Sequence, residues 1–254
     1  MIIDSYDNKS RPFLRANDLY KEVERNEDIC FVTFSQNVLN MVIEKYNAKK
    51  EAEYITTNSS QPIYGFYYNG HHYFIYMTGI GASLTATIMN EVSVVVGTHQ
   101  FIFFGSCGVL NEEKCRHKII VPSASYRDEG ISYHYYPASD YIDIRNADRL
   151  NHILEELAVP HVKGKIWTTD AIYMETLNKV NKRKEDGCLA VEMEVSGVEA
   201  VARYLDIDNY HLLFSADSLD GSTWDQKEFA NDKEKNKQFA IFEIALAVGE
   251  KIKK

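Results

Sequence analysis

Two carboxylates, Glu192 and Glu194, flank Met193 where an apolar run (Cys188 to Val191) gives way to helical spacing at Val195, Val198, Ala202 and Leu205. Acidic side chains at a helix mouth are favoured by the helix dipole, typically by ~0.3–1 kcal/mol. Ordinary first-turn carboxylates are therefore one reading of the pair. The other reading is chemical, because an ionised acceptor binds hydroxyl groups more strongly than a neutral one. Asp217 stands at the end of a second apolar run, Tyr210 to Ser215. A carboxyl beside apolar groups has a raised pKa and can act as an acid, while a helix N-cap accounts for Asp217 about as well. Gly105 and Ser106 follow a third run, Gln100 to Phe104. A turn there would bring backbone N–H groups to an anion, although glycine after a strand commonly makes a turn and nothing more.

These residues need a scaffold, and the rest of the chain supplies one. Ile29 to Phe34 reads as a buried strand, and the spacing of Val38, Met41, Val42 and Tyr46 predicts a helix over Asn37 to Tyr46. Asn69-Gly70 between Tyr64–Tyr68 and His72–Met77 is a strong hairpin signal. Gly79-Ile80-Gly81 then feeds a helix from about Ala82. Further strands are expected at Lys118 to Ser125 and Val162 to Thr168, and helices at Ala147 to Leu157, Glu175 to Asp186 and Asn231 to Lys251. The tyrosine-rich stretch from Tyr126 to Tyr141 reads as a long loop, suited to function or an interface. Its portion Tyr133 to Tyr141 is either a contact surface or a folded-down surface loop. The expected fold is a single α/β domain over residues 1–254, a central mixed sheet flanked by helices, with residues 1–28 an N-terminal extension. Gly79-Ile80-Gly81, Gly105-Ser106, Thr169-Asp170, Glu192 to Glu194 and Asp217 all fall at strand ends, where open α/β sheets place their ligand crevice.

Composition narrows the classes. With 254 residues the chain can bury one sizeable core. A net charge of -9 argues against general nucleic-acid binding, which needs a basic face. No window approaches the apolar length of a membrane span, and the polar N-terminus lacks the apolar core of a signal peptide; a cytoplasmic protein is expected. Cys30, Cys107, Cys115 and Cys188 form no C-x-x-C pair and the histidines no H-E-x-x-H. Neither a metal site nor a disulfide framework is expected.

GIGASLTA, FFGSCGVL, VPSASYRDEGISYHYYP, TTDAIYMET, AVEMEVSG and FSADSLDG, in that order, resemble the successive motifs of the nucleoside phosphorylase family, which also holds uridine phosphorylases and methylthioadenosine nucleosidases. The resemblance runs over roughly residues 29 to 250. It implies cleavage of a (deoxy)ribonucleoside by inorganic phosphate as co-substrate, giving free base and (deoxy)ribose 1-phosphate, with no cofactor. It also implies a homodimer or trimer of dimers with active sites near subunit interfaces. By the same resemblance Glu194 accepts the sugar hydroxyls and Met193 packs against the ring. Asp217 protonates or hydrogen-bonds N7 of a leaving purine, Tyr173 offers an aromatic wall beside Ile172, and Gly105 with Ser106 holds phosphate. A carboxylate at Glu194 also suits the positive charge that develops on the sugar as the bond breaks.

The chain departs from the family in its cations. Phosphorylases of this kind usually carry an arginine where Phe103 stands, and another in a segment matching TFSQNVLNMV, which has none. Arg11, Arg15, Arg116 and Arg127 are the candidates to compensate. A nucleosidase would place a glutamate near the first strand to activate water, and Phe34-Ser35-Gln36 offers none. A nucleoside-binding protein without turnover is the third reading. YMETLNKV lacks the glutamine and arginine that read uracil in uridine phosphorylases.

Overall fold

Apolar runs rich in β-branched and aromatic residues form the strands, because such side chains fill a pleated, buried surface well. The computed structural model describes residues 1–55, 59–227 and 232–253. Its strands are β1 (Asn26–Thr33), β2 (Lys49–Ile55), β3 (Ser60–Tyr68), β4 (His71–Met77), β5 (Thr98–Val109), β6 (Ile119–Asp128), β7 (Tyr141–Asp143), β8 (His161–Thr169), β9 (Ala190–Glu192) and β10 (Asp208–Ser218). The helices are α1 (Ala16–Leu19), α2 (Gln36–Tyr46), α3 (Ala82–Val96), α4 (Glu112–Cys115), α5 (Ser132–Tyr135), α6 (Ala147–Glu156), α7 (Leu177–Glu185), α8 (Val195–Leu205) and α9 (Asp232–Ile252). The expected helix start at Asn231 lies outside the described residues.

The mixed sheet is as expected, but its closure is not. β2, β3 and β4 form an antiparallel meander, and β4, β1, β5 and β10 continue in parallel. β5 also pairs with β9, β9 with β8, β8 with β6, and β6 returns to β10. Five strands thus close a ring and lose their free edges there. The hairpin is the predicted two-residue one: Asn69 (φ 48°) and Gly70 (φ 80°) both take the left-handed conformation, as a type I′ turn requires.

Three local expectations are corrected. Gly105 and Ser106 are not a turn: β5 runs through them to Val109, because Leu213, Phe214 and Ser215 of β10 continue the ladder opposite Gly105, Ser106 and Cys107. Glycine at 105 has a packing reason, since a Cβ there would lie 3.0 Å from the Phe34 ring. Asp217 caps no helix; it lies inside β10, just past a bulge after Ser215. The charged helix begins at Leu177 rather than Glu175, because the Thr176 side chain accepts the Lys179 amide as its N-cap.

The tyrosine-rich stretch is folded down. β6 extends to Asp128, and a short helix and a short strand follow. The buried Arg127 guanidinium donates to Ser132 Oγ (2.8 Å), the Pro137 carbonyl (2.7 Å) and Ser139 Oγ (3.0 Å), and lies over the Tyr133 ring. Within residues 1–28, Tyr20 donates its hydroxyl to Glu91 of α3 (2.9 Å) and the Val23 amide bonds the Val94 carbonyl (3.1 Å). That segment therefore lies along α3.

α8 carries the chemistry-bearing segment and packs against α3. Close approach depends on Gly197: a Cβ there would lie 2.6 Å from Ile131 Cγ2 and 2.8 Å from Ala82 Cβ. Gly197→Val should destabilise the fold by ~1–3 kcal/mol through overpacking, read as a lower urea midpoint with an unchanged m-value. An unchanged midpoint would mean that this helix contact is looser than the structure has it.

Candidate active site

The mouth of α8 separates two carboxylates that the sequence places side by side. Glu192 turns inward: its Oε2 accepts the Glu194 and Val195 amides (2.6 and 2.8 Å), and its Oε1 receives the Thr168 hydroxyl. It satisfies donors that a helix start leaves unpaired. Glu194 turns the other way, where Oε1 accepts the Gly81 amide at the start of α3 (2.6 Å). Burial raises both carboxyls above the ordinary range. The charge of Glu194 adds to the rise at Glu192, against the pull of its donors.

A cavity of about 560 Å³ opens where β1, β4, β5 and β10 end. Glu194 and Met193 line it beside Gly105 and Ser106 of β5. Asp217 lines it from β10, and Ile172 and Tyr173 from the 3-10 turn Ile172–Met174. All seven residues singled out in the sequence thus meet in one space. Of the other strand ends, Ile80 joins them, whereas Asp170 does not; it accepts the Gly130 amide instead (3.0 Å). Tyr173 is 98% exposed in the single chain, so it stands at the mouth rather than forming an enclosed wall.

Asp217 sits opposite Gly108 in the β5–β10 ladder. Glycine is needed at that position, as a Cβ there would lie 3.3 Å from Asp217 Oδ1 and 2.6 Å from Leu219. The Trp224 indole N–H donates to Asp217 Oδ2 at 2.6 Å. Burial raises the Asp217 carboxyl, and the indole opposes that rise. Glu175 completes the group and was missed in the sequence, because it reads there as part of a charged helix. In the structure it lines the cavity, and burial followed by the charge of Asp217 pushes its carboxyl up to about 7.

The lining supplies no substitute for the absent arginines. Among the described residues that line the cavity there is no lysine or arginine. Phe103 is buried and stacks on His211, ring centroids 5.0 Å apart and 19° from parallel. Burial pushes His211 down to about 3, so it is neutral at pH 7. Of the four candidate arginines, Arg127 is committed to the tyrosine-rich stretch, Arg116 lines a separate groove, and Arg11 and Arg15 are exposed near the N-terminus.

Comparison with known proteins agrees with this architecture. Residues 28–247 match the family model of the phosphorylase superfamily, and the chain belongs to that family. It is 26% identical over 200 residues to the purine nucleoside phosphorylase DeoD-type of Alkaliphilus metalliredigens (strain QYMF), covering 76% of this chain and 83% of that one. To the protein of that name from Caldanaerobacter subterraneus subsp. tengcongensis it is 30% identical over 168 residues, 64% of this chain and 72% of that one. In fold it resembles a futalosine hydrolase mutant of Helicobacter pylori strain 26695 (TM-score 0.70, 14% identity, covering 89% of this chain and 100% of that one). It also resembles the AMP nucleosidase of Bacteroides thetaiotaomicron VPI-5482 (TM-score 0.67, 18% identity, 89% of each chain). The chain is thus an enzyme-family member whose sequence relatives and fold neighbours carry names from both transfer and hydrolysis. Among the described residues no helix is long and apolar enough to cross a membrane.

The position of Glu175 has a measurable consequence. Its carboxyl stands near 7 in the fold against 4.5 for a free glutamate, so the fold holds the proton more tightly than the unfolded chain. Stability is then highest below the free value and falls as pH rises through that window. Glu175→Gln should melt close to the wild type at pH 5 and above it at pH 8. A variant that melts lower at pH 8 would show that the ionised carboxylate is stabilised by contacts absent here.

Proposed function

We propose that this cavity binds a nucleoside and that the chain cleaves its N-glycosidic bond, releasing the free base. The observation that carries the reading is the meeting, in one cavity, of a sugar-binding carboxylate (Glu194, with Met193) and a separate acid group (Asp217, with Glu175). Glu194 Oε1 is taken by the Gly81 amide, which fixes the side chain and leaves Oε2 for sugar hydroxyls. An anion placed there is worth more as the sugar gains oxocarbenium character, so it favours the transition state over the ground state. At the other end a carboxyl proton lowers the charge of the departing base. Ile172 and Tyr173 offer the base an apolar face at the mouth.

The charge of the lining favours water as the nucleophile. Glu175, Glu192, Glu194 and Asp217 all line the cavity, with no cation among the described lining residues. Phosphate near charge -2 finds in such a lining none of the Arg pairing that would ordinarily hold it. Phosphorolysis is the second reading, supported by the names of the sequence relatives. In it the β5 segment at Gly105 and Ser106 receives phosphate, no cofactor takes part, and a homodimer or trimer of dimers brings a partner's cation to the mouth. Exposed Tyr173 and Ile80 there suit such a contact.

Free base released from inosine, adenosine, guanosine and uridine, measured with and without phosphate, separates the readings. Release that ignores phosphate supports hydrolysis, and a strict requirement for phosphate supports phosphorolysis. No release from any of the four would overturn bond cleavage. Glu194→Ala should lower kcat/KM by ~10–150-fold, the worth of one hydrogen bond to a charged group.

A further inference from the structure

Glu175 and Asp217 share a cavity but not a set of partners. Asp217 is pinned by an indole N–H, which can only donate, and a fixed donor favours the ionised acceptor. The Lys227 charge acts in the same direction, against Asp225. Glu175 has no hydrogen bond to any described residue, and its one nearby cation, Lys179, is held by Asp128 Oδ2 at 3.1 Å. The other titratable groups lining the space are Glu192 and Glu194, which add negative charge when ionised, His211, which is neutral, Cys107, whose thiol burial pushes up, and Tyr173 at the mouth.

We propose that Glu175 and Asp217 hold a single proton between them, that it resides on Glu175 while Trp224 keeps Asp217 ionised, and that Glu175 delivers it to a leaving purine. The inference rests on the nucleoside-cleaving reading and deepens it. Two neighbouring carboxyls in a partly dry site do not ionise together, and the one lacking donors keeps the proton. The lift of Glu175 by burial and by the charge of Asp217 agrees with this order. In the step, the C1′–N bond breaks and its electron pair leaves with the base. The Glu175 O–H proton passes to a ring nitrogen of that base, leaving Glu175 ionised. The oxygen of the attacking water bonds C1′ and sheds its proton to solvent, from which Glu175 is reprotonated. A purine presents a ring-nitrogen lone pair at N7 for such a donor, whereas the only acceptors uracil presents are carbonyl oxygens, its free ring nitrogen N3 being protonated. Trp224 acts here as a positioning residue.

The test pairs a kinetic with a spectroscopic readout on the full chain. With adenosine as substrate, wild-type kcat/KM should fall on the alkaline side of about pH 7. Glu175→Gln should lose ~10²-fold in rate, the order expected of a lost general acid, together with that limb of the profile. In parallel, the Trp224 indole N–H resonance, assigned with Trp224→Phe, should show a titration step near neutral pH in the wild type. The step should vanish in Glu175→Gln and move to lower pH in a Glu175-intact protein carrying Asp217→Asn with its indole retained. A step that persists in Glu175→Gln, or a variant with wild-type rate and profile, overturns the shared proton. Absence of base release by the wild type at every pH overturns the nucleoside reading instead, and the resonance then decides the carboxyl pair independently.

Discussion

The site is organised around the buried carboxylate of Glu192. It ends β9, receives the Thr168 hydroxyl from β8, and accepts the first amides of α8. An ionised group in such a place would be costly alone, and the donors that offset the cost are those that fix the strand-to-helix corner. Thr168 is itself tied to Ser125 of β6 (2.7 Å) and to the Ser196 amide (3.1 Å). One carboxylate therefore registers three strands and a helix. With that corner fixed, the next carboxylate along the chain, Glu194, faces α3 and the cavity.

A second buried acid holds α8 from its other side and reaches the cavity indirectly. Glu199 is fully buried, receives Arg203 Nε at 2.6 Å and accepts from the Asn209 side-chain amide at 3.0 Å. The Asn209 carbonyl oxygen then accepts from His211 Nε2 at 2.7 Å, which sets the neutral tautomer. The His211 ring lies flat on Phe103. A chain of contacts thus runs from a surface-facing arginine to the cavity wall, and it ends in the aromatic stack of His211 on Phe103.

Much of this was legible in the sequence because it is local. The Asn-Gly hairpin, the apolar strands and the spacing of α3 and α8 need only turn chemistry and periodicity. The convergence of Glu194, Met193, Asp217, Gly105 and Ser106 was legible from strand ends and ordered motifs. The ring closure was not, since β6 meets β10 across a long stretch of chain through a single register position, Leu213 opposite Ile120. The turn expected at Gly105 failed because glycine there answers to Phe34 and not to backbone conformation. Glu175 was hidden for a related reason: a charged run looks helical throughout, and only the Thr176 cap shows that the helix starts two residues later. The Trp224–Asp217 bond links a strand to a loop with no periodic signal at all.

The division of labour between the two carboxyls at the base end follows from their scaffolds. Asp217 is held by a β-strand whose neighbour, Gly108, leaves room for its oxygens, and by an indole from the next turn. A group fixed that firmly is suited to a constant charge. Glu175 stands on a short irregular turn between β8 and α7, with no hydrogen-bond donor to hold it among the described residues. Fixed charge and mobile proton are thus placed on rigid and loose elements respectively. Electrostatics at the cavity then follows from topology: β10 carries the pinned carboxyl of Asp217, and the connection between β8 and α7 carries Glu175.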